Sequence, residues 1–242
     1  MWVGNFSSRR MLYFSAMASR RPKTKAGRAR ALTWRMKRLL EMERGLWDQG
    51  IERVAGVDEV GRGPLAGPVI AAAVILPVGV GIRGVDDSKK LTAEKREHLL
   101  LEIREKALAI GVGGASTKEI ARINILRASH LAMARALQRL PHRPQHVIVD
   151  GLPVPELAEH ASFVVDGDAR VHCVACASIV AKCVRDRLMR MLAARYPIYG
   201  WEHNCGYATA EHRMAIFGAG FSPHHRRSFD LNSQLTLELL AD

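Results

Sequence analysis

From Val54 onward the apolar positions switch repeatedly between two spacings, and the switches divide the chain into predicted elements. Val54 to Glu59 and Pro68 to Leu76 read as strands joined through a Gly61 to Pro64 turn. Thr92 to Ala107 reads as a helix, with Thr92 at its N-cap and Glu94 in its first turn. Leu108 to Gly113 suits a third strand. Ser116 to Glu119 forms a capping box, and Ile125 to Leu140 a second helix with Leu126, Leu131, Met133, Ala134 and Leu137 on its buried side. Val147 to Asp150 and Ser162 to Val165 are two more short strands. Val171 to Tyr196 is the longest predicted helix and Ala208 to Phe217 another, while Leu39 to Gly50 is a short amphipathic lead-in. Strands alternating with helices predict an α/β layer fold with a mixed central sheet flanked by helices.

Composition supports one full-sized domain: 242 residues, 48% apolar and 25% charged, can bury a core. The net charge of +12 suggests an anionic partner, but its distribution changes that inference. Residues 1 to 40 carry eleven Lys or Arg and no acid, leaving 25 basic against 24 acidic groups in the rest. Residues 1–38 are therefore expected to be a basic, disordered extension. It reads as a mitochondrial transit peptide, a phosphate-binding arm, or a leader from a start assigned upstream of Met17. Residues 39–229 form the expected catalytic domain and residues 230–242 a helical tail. No 18-residue apolar run exists to span a membrane. Cys173 and Cys176 with His172 could be half a zinc site or a redox pair, but a second pair is missing. Small apolar filler is the better reading, and reduced thiols in a cytoplasm are expected.

Candidate chemistry lies at the strand ends. Asp58, Glu59, Asp150 and Asp168 each end an apolar strand or follow one, where open α/β sheets place ligands. Asp150 also reads as a turn residue and Asp168 as the N-cap of the long helix. Adjacent carboxylates beside buried apolar residues need a partner, and a divalent cation that favours oxygen supplies one. Alternation would send Asp58 and Glu59 to opposite faces, so sharing one site requires the strand to twist or end there. Gly61 and Gly63 make such an ending plausible.

Asp58-Glu59-Val60-Gly61-Arg62-Gly63-Pro64 is followed in order by Asp87-Ser88-Lys89-Lys90-Leu91, Val149-Asp150-Gly151 and Gly167-Asp168. Ala177-Ser178-Ile179-Val180-Ala181-Lys182, Arg185-Asp186 and Gly206-Tyr207 complete the series. The ordered set, over roughly residues 54 to 229, resembles ribonuclease HII. That resemblance implies a ribonuclease H-like fold and hydrolysis of the RNA strand of RNA/DNA hybrids. It also implies incision 5′ of ribonucleotides embedded in duplex DNA, as in ribonucleotide excision repair. Asp58, Glu59, Asp150 and Asp168 would hold two Mn²⁺ or Mg²⁺ ions, Asp58 bridging both, and the products would carry 5′-phosphate and 3′-hydroxyl ends.

Gly61, Arg62 and Gly63 would read the 2′-hydroxyl through backbone N–H and C=O groups, and Tyr207 would stack on the sugar that follows. Lys89, Lys90 and Lys182 are candidate phosphate contacts. His224 to Phe229 resembles the family's terminal motif and is expected to position the C-terminal segment or touch phosphate. Asp86, Asp166 and Cys205 depart from the family pattern; the two acids imply weaker substrate binding or a higher metal requirement. A monomer is expected. A ribonuclease HIII-like nuclease and a non-catalytic nucleic-acid-binding protein are the alternatives.

Overall fold

The computed structural model describes residues 24–157 and 161–229. The chain divides into two compact units between Arg35 and Met36, and the second contains everything discussed below except the start of the first helix. That helix, α1 (Lys25–Leu39), falls on the later part of the expected basic extension. Its Ala, Arg, Leu, Lys and Met content is rich in strong helix formers, which the reading from charge alone passed over. Residues 1–23 and the expected 230–242 tail lie outside the described residues.

The second unit continues with α2 (Glu41–Trp47), β1 (Val54–Val60), β2 (Val69–Ile75), α3 (Ala93–Lys106), β3 (Ala109–Ala115) and α4 (Thr117–Gln138). Then come β4 (His146–Asp150), β5 (Ala161–Val164), α5 (Gly167–Arg170), α6 (His172–Arg195), α7 (Trp201–Asn204) and α8 (Ala210–Ala219). One sheet runs in the order β3-β2-β1-β4-β5, antiparallel across β3, β2 and β1 and parallel across β1, β4 and β5. It is the mixed sheet that the alternation predicts.

Both faces are covered, which explains why β2 (Val-Ile-Ala-Ala-Ala-Val-Ile) is buried along its whole length. On one face Ala72 and Val74 meet Ala175, Ile179 and Ala181 of α6, backed by Leu99, Leu100 and Ile103 of α3. On the other, Val57, Ala71 and Ala73 meet Ala128, Ala132, Met133 and Ala136 of α4. The start of α6 rests directly on β1: a Cβ on Gly56 would lie 2.1 Å from the carbonyl carbon of Cys173. Glu43 of α2, almost wholly buried, accepts a hydrogen bond from the Cys173 amide (2.8 Å) and places negative charge at that helix start.

Two boundaries differ instructively. The capping box at Ser116 and the helix from Ile125 are both present, with Asn124 between them at φ 64° and its side chain accepting from the Arg127 amide (3.1 Å). The asparagine therefore ends one helical stretch and caps the next. The long helix has Val171, not Asp168, at its N-cap; Asp168 belongs to the separate single turn α5.

Candidate active site

The parallel pairing of β1 with β4 brings the acids together. Val57 pairs with Val149, so the next residues, Asp58 and Asp150, lie side by side at the same end of the sheet. β5 runs parallel to β4, and the chain leaving it reaches Gly167 and Asp168 at that end as well. The Gly167 amide donates to Asp150 Oδ1 at 2.6 Å, tying the start of α5 to the end of β4. Strand β1 does not stop before its acids; it continues to Val60. Asp58 neighbours Ser178 of α6, whereas Glu59 also borders a second cleft beside Ser129 and Met133 of α4. The two side chains leave opposite faces, as alternation demands, yet both reach one cavity at the strand's end.

That cavity, about 560 Å³, takes in ten of the eleven residues proposed from the sequence to hold metal or read substrate: Asp58, Glu59, Gly61, Arg62, Gly63, Lys89, Asp150, Asp168, Lys182 and Tyr207. Lys90 is not among its lining residues; it pairs with Asp87 at 3.5 Å. Ser88, Arg96 and Ser178 also line it, and sequence reasoning gave them no role. Ser88 and Ser178 stood inside quoted motifs; Arg96, on an ordinary amphipathic helix, carried no signal.

The electrostatics are those of a site rich in negative charge. Asp58 is 5% exposed; burial first, then the charges of Glu59 and Asp150, hold its carboxyl well above the usual range. The Ser178 hydroxyl, 2.9 Å from that of Ser88, offsets part of this rise. Burial also raises Glu59, against the pull of Arg62 at 3.4 Å. Asp150 is raised by burial, and the Gly167 amide and Lys89 counter it. Asp168 is pushed up to about 6 by burial and by the charges of Asp87 and Asp150. Asp87, which caps the single turn Ser88–Lys90, is thus a fifth acid in contact with the group.

Two lysines answer differently. Burial alone would lower Lys89, but Asp168, Asp87, Asp58 and Asp150 together raise its pKa. Lys182 is held at 2.7 Å by Asp186, which also takes Arg96 at 3.4 Å. The donor set is entirely oxygen, and burial first, with neighbouring negative charge second, raises four carboxyls at once, so these residues fit hard divalent cations. Among the described residues no three such groups already converge on one metal-sized point. Asp150 is tied to the Gly167 amide and Glu59 to Arg62.

Behind the glycine loop lie two arginines that stood inside quoted motifs without a role of their own. Arg185, fully buried, donates to the carbonyls of Pro68, Cys205 and Ala66 at 3.0–3.1 Å. Arg226, 2% exposed, donates to those of Gly67 (2.9 Å), Arg62 (2.8 Å) and Gly61 (2.5 Å). His224 to Phe229 therefore positions the loop from inside. Next to it, Tyr207 is 42% exposed, and its carbonyl accepts from His212 Nδ1 at 2.8 Å. His225 Nδ1 accepts from the Ser222 amide (2.8 Å), so its Nε2 donates to His212 Nε2 (3.0 Å), which also accepts from Trp201 (3.0 Å). Both rings are neutral in this arrangement.

All four cysteines are unpaired, and Cys173, Cys176 and Cys183 are buried within α6. His172 accepts from the Ile82 amide at 3.0 Å.

Comparison with known proteins agrees with this geometry. The family model described as ribonuclease HII matches residues 55–232. Ribonuclease HII of Thermosynechococcus vestitus is 53% identical over 189 residues, covering 77% of this chain and 88% of the relative. That of Granulibacter bethesdensis is 54% identical over 187 residues, covering 75% and 85%. Among solved structures, ribonuclease H2 from Pyrococcus horikoshii superposes with a TM-score of 0.62 at 26% identity, covering 78% of this chain and all of the other. RNase HII from Archaeoglobus fulgidus, solved in complex with PCNA, gives 0.63 at 27%, covering 74% and 95%. Bst-RNase HIII in complex with Mn²⁺, at 19% identity and 0.60, covering 79% and 71%, shares the fold. The chain belongs to the ribonuclease HII family and is a ribonuclease H hydrolase.

Proposed function

We propose that this chain hydrolyses the RNA strand of RNA/DNA hybrids and incises duplex DNA 5′ of single embedded ribonucleotides, leaving 5′-phosphate and 3′-hydroxyl ends. The observation that carries the reading is the meeting of Asp58, Glu59, Asp150 and Asp168 in one cavity with Gly61, Arg62, Gly63 and Tyr207. The four acids would hold two divalent ions, Mn²⁺ or Mg²⁺, with Asp58 the most buried of the four. Once bound, such ions supply positive charge that activates water and stabilises the departing oxygen.

The chain's own residues set the rest. The glycine loop meets the ribose at close range, and Tyr207 offers an exposed ring to the sugar that follows. Lys89, poised among the acids, turns to phosphate when cations neutralise them, and Lys182 adds charge from its place beside Asp186. This enzyme acts as a monomer in the cytoplasm. Among the described residues no helix is long and apolar enough to cross a membrane, and the four cysteines form no disulfide.

The test is a labelled duplex with one ribonucleotide, incubated with Mg²⁺ or Mn²⁺ and, separately, with EDTA. A single nick 5′ of the ribonucleotide, dependent on metal and missing from an all-DNA duplex, is expected. Cleavage that persists in EDTA, or a cut at another bond, would refute the proposal.

A further inference from the structure

Buried arginines are ordinarily matched by a carboxylate, because an unpaired charge in the interior costs several kcal/mol. Arg185 and Arg226 place their donors instead on six backbone carbonyls: Gly61, Arg62, Ala66, Gly67, Pro68 and Cys205. Five of these belong to the segment from Gly61 to Pro68, and the sixth immediately precedes Gly206 and Tyr207. The two guanidiniums therefore join both elements assigned to reading substrate.

Their contacts also set which way the loop faces. In a trans peptide the C=O and N–H point oppositely, and no peptide among the described residues is cis. With the Gly61 and Arg62 carbonyls turned in to Arg226, the amides of Arg62 and Gly63 are turned away from it. Packing leaves little room for another arrangement. Gly61 sits at φ 94° and a Cβ there would lie 2.2 Å from Arg185 Nε. The Phe229 ring lies 5.1 Å from the Arg226 guanidinium, and the Arg226 amide donates to the Leu65 carbonyl at 2.8 Å.

We infer that Arg226, seated beside Arg185, is a positioning residue for ribose discrimination. It holds the loop with the Gly61 and Arg62 carbonyls engaged and the amides of Arg62 and Gly63 turned away from it, so the loop meets a sugar as a hydrogen-bond donor. A 2′-hydroxyl can accept such a bond and a deoxyribose cannot. Lysine cannot replace the planar fork, since one ammonium does not satisfy three carbonyls spread along a guanidinium. The inference rests on the proposed reading that this loop contacts the ribose, and its test separates the two.

Two quantities are measured on Arg226→Lys: hydrogen exchange of the amides of residues 61–67, and the ratio of Kd for an all-DNA duplex to Kd for the same duplex with one ribonucleotide. Ca²⁺ replaces the catalytic metal to prevent cleavage. Exchange is expected to speed up and the ratio to fall about tenfold, entirely through weaker binding of the ribonucleotide duplex. Unchanged exchange overturns the inference. So does faster exchange with an intact ratio, or an equal loss of affinity for both duplexes. A wild-type protein that does not prefer the ribonucleotide duplex would instead sink the substrate reading, and exchange alone would then judge the bracing. If Arg226→Lys does not fold, Phe229→Leu loosens the guanidinium without removing it, and the same two readouts should move the same way by about threefold.

Discussion

Among single residues, Asp168 carries the raised carboxyl whose consequences are most direct. Its carboxyl titrates near 6, so between its unfolded value of about 4 and pH 6 the folded protein binds more protons than the unfolded chain. Stability from this group is present at low pH and lost as pH rises through 6. Asp168→Asn should therefore raise the melting temperature of metal-free protein at pH 7.5, by the equivalent of about 1–3 kcal/mol, while sharply lowering the cleavage rate. A variant less stable than wild type at that pH would show that the charge is already compensated. Tyr207→Ala should lose about 1–3 kcal/mol of transition-state binding on a single embedded ribonucleotide and less on a long RNA/DNA hybrid. Initial rates on the two substrates check this, and equal losses would remove the ring from junction reading.

Residues of this kind were legible from sequence because carboxylates at the ends of apolar strands are chemically out of place. The bracing roles of Arg185 and Arg226, both inside quoted motifs, were not, because a buried arginine that serves backbone carbonyls has no partner side chain to betray it. The run His224-His225-Arg226-Arg227 was expected to position the C-terminal segment or touch phosphate, and the fold turns His225 and Arg226 inward.

Elements explain why the loop needs its glycine where it does. The tight spot in the loop is Gly61, pressed against Arg185 in a left-handed conformation. Gly61→Ala should destabilise the protein by about 1–3 kcal/mol through overpacking and slow cleavage of both substrates, as thermal melts and rates would show. Beside the loop, the chain Trp201–His212–His225–Ser222 works only with both imidazoles neutral. Burial holds His225 down at about 4 and lowers His212 as well. Their contribution is complete above about 6.5 and disappears as pH falls toward 4. Melting temperatures of wild type and His225→Asn should therefore converge on acidification across that range; a constant gap would mean that protonation does not break the network.

The whole molecule depends on one long-range event that no local pattern announces, the parallel pairing of β1 with β4 across some ninety residues of chain. Alternating spacings revealed the strands, helices and mixed sheet, but strand order is set by which apolar faces α4 and α6 cover. The charge census belongs to this scale too, since the body from Glu41 onward is nearly neutral. A chain beginning at Leu39 should fold and cleave in low salt at a similar rate. It should also bind non-specific duplex more weakly, with a flatter salt slope. Loss of cleavage at every salt concentration would place residues 1–38 in the active fold.

The central claim is that these acids form a metal-dependent hydrolytic centre, and a Mn²⁺ titration of wild type and Asp58→Asn tests it most directly when cleavage and duplex binding are followed on the same samples. Wild type should bind Mn²⁺ and cleave. Asp58→Asn should lose most Mn²⁺ affinity and all detectable hydrolysis, yet bind the ribonucleotide duplex as well or better, because an amide removes both a ligand and a repulsive charge. Mn²⁺ binding and cleavage near wild-type levels in Asp58→Asn would contradict the account.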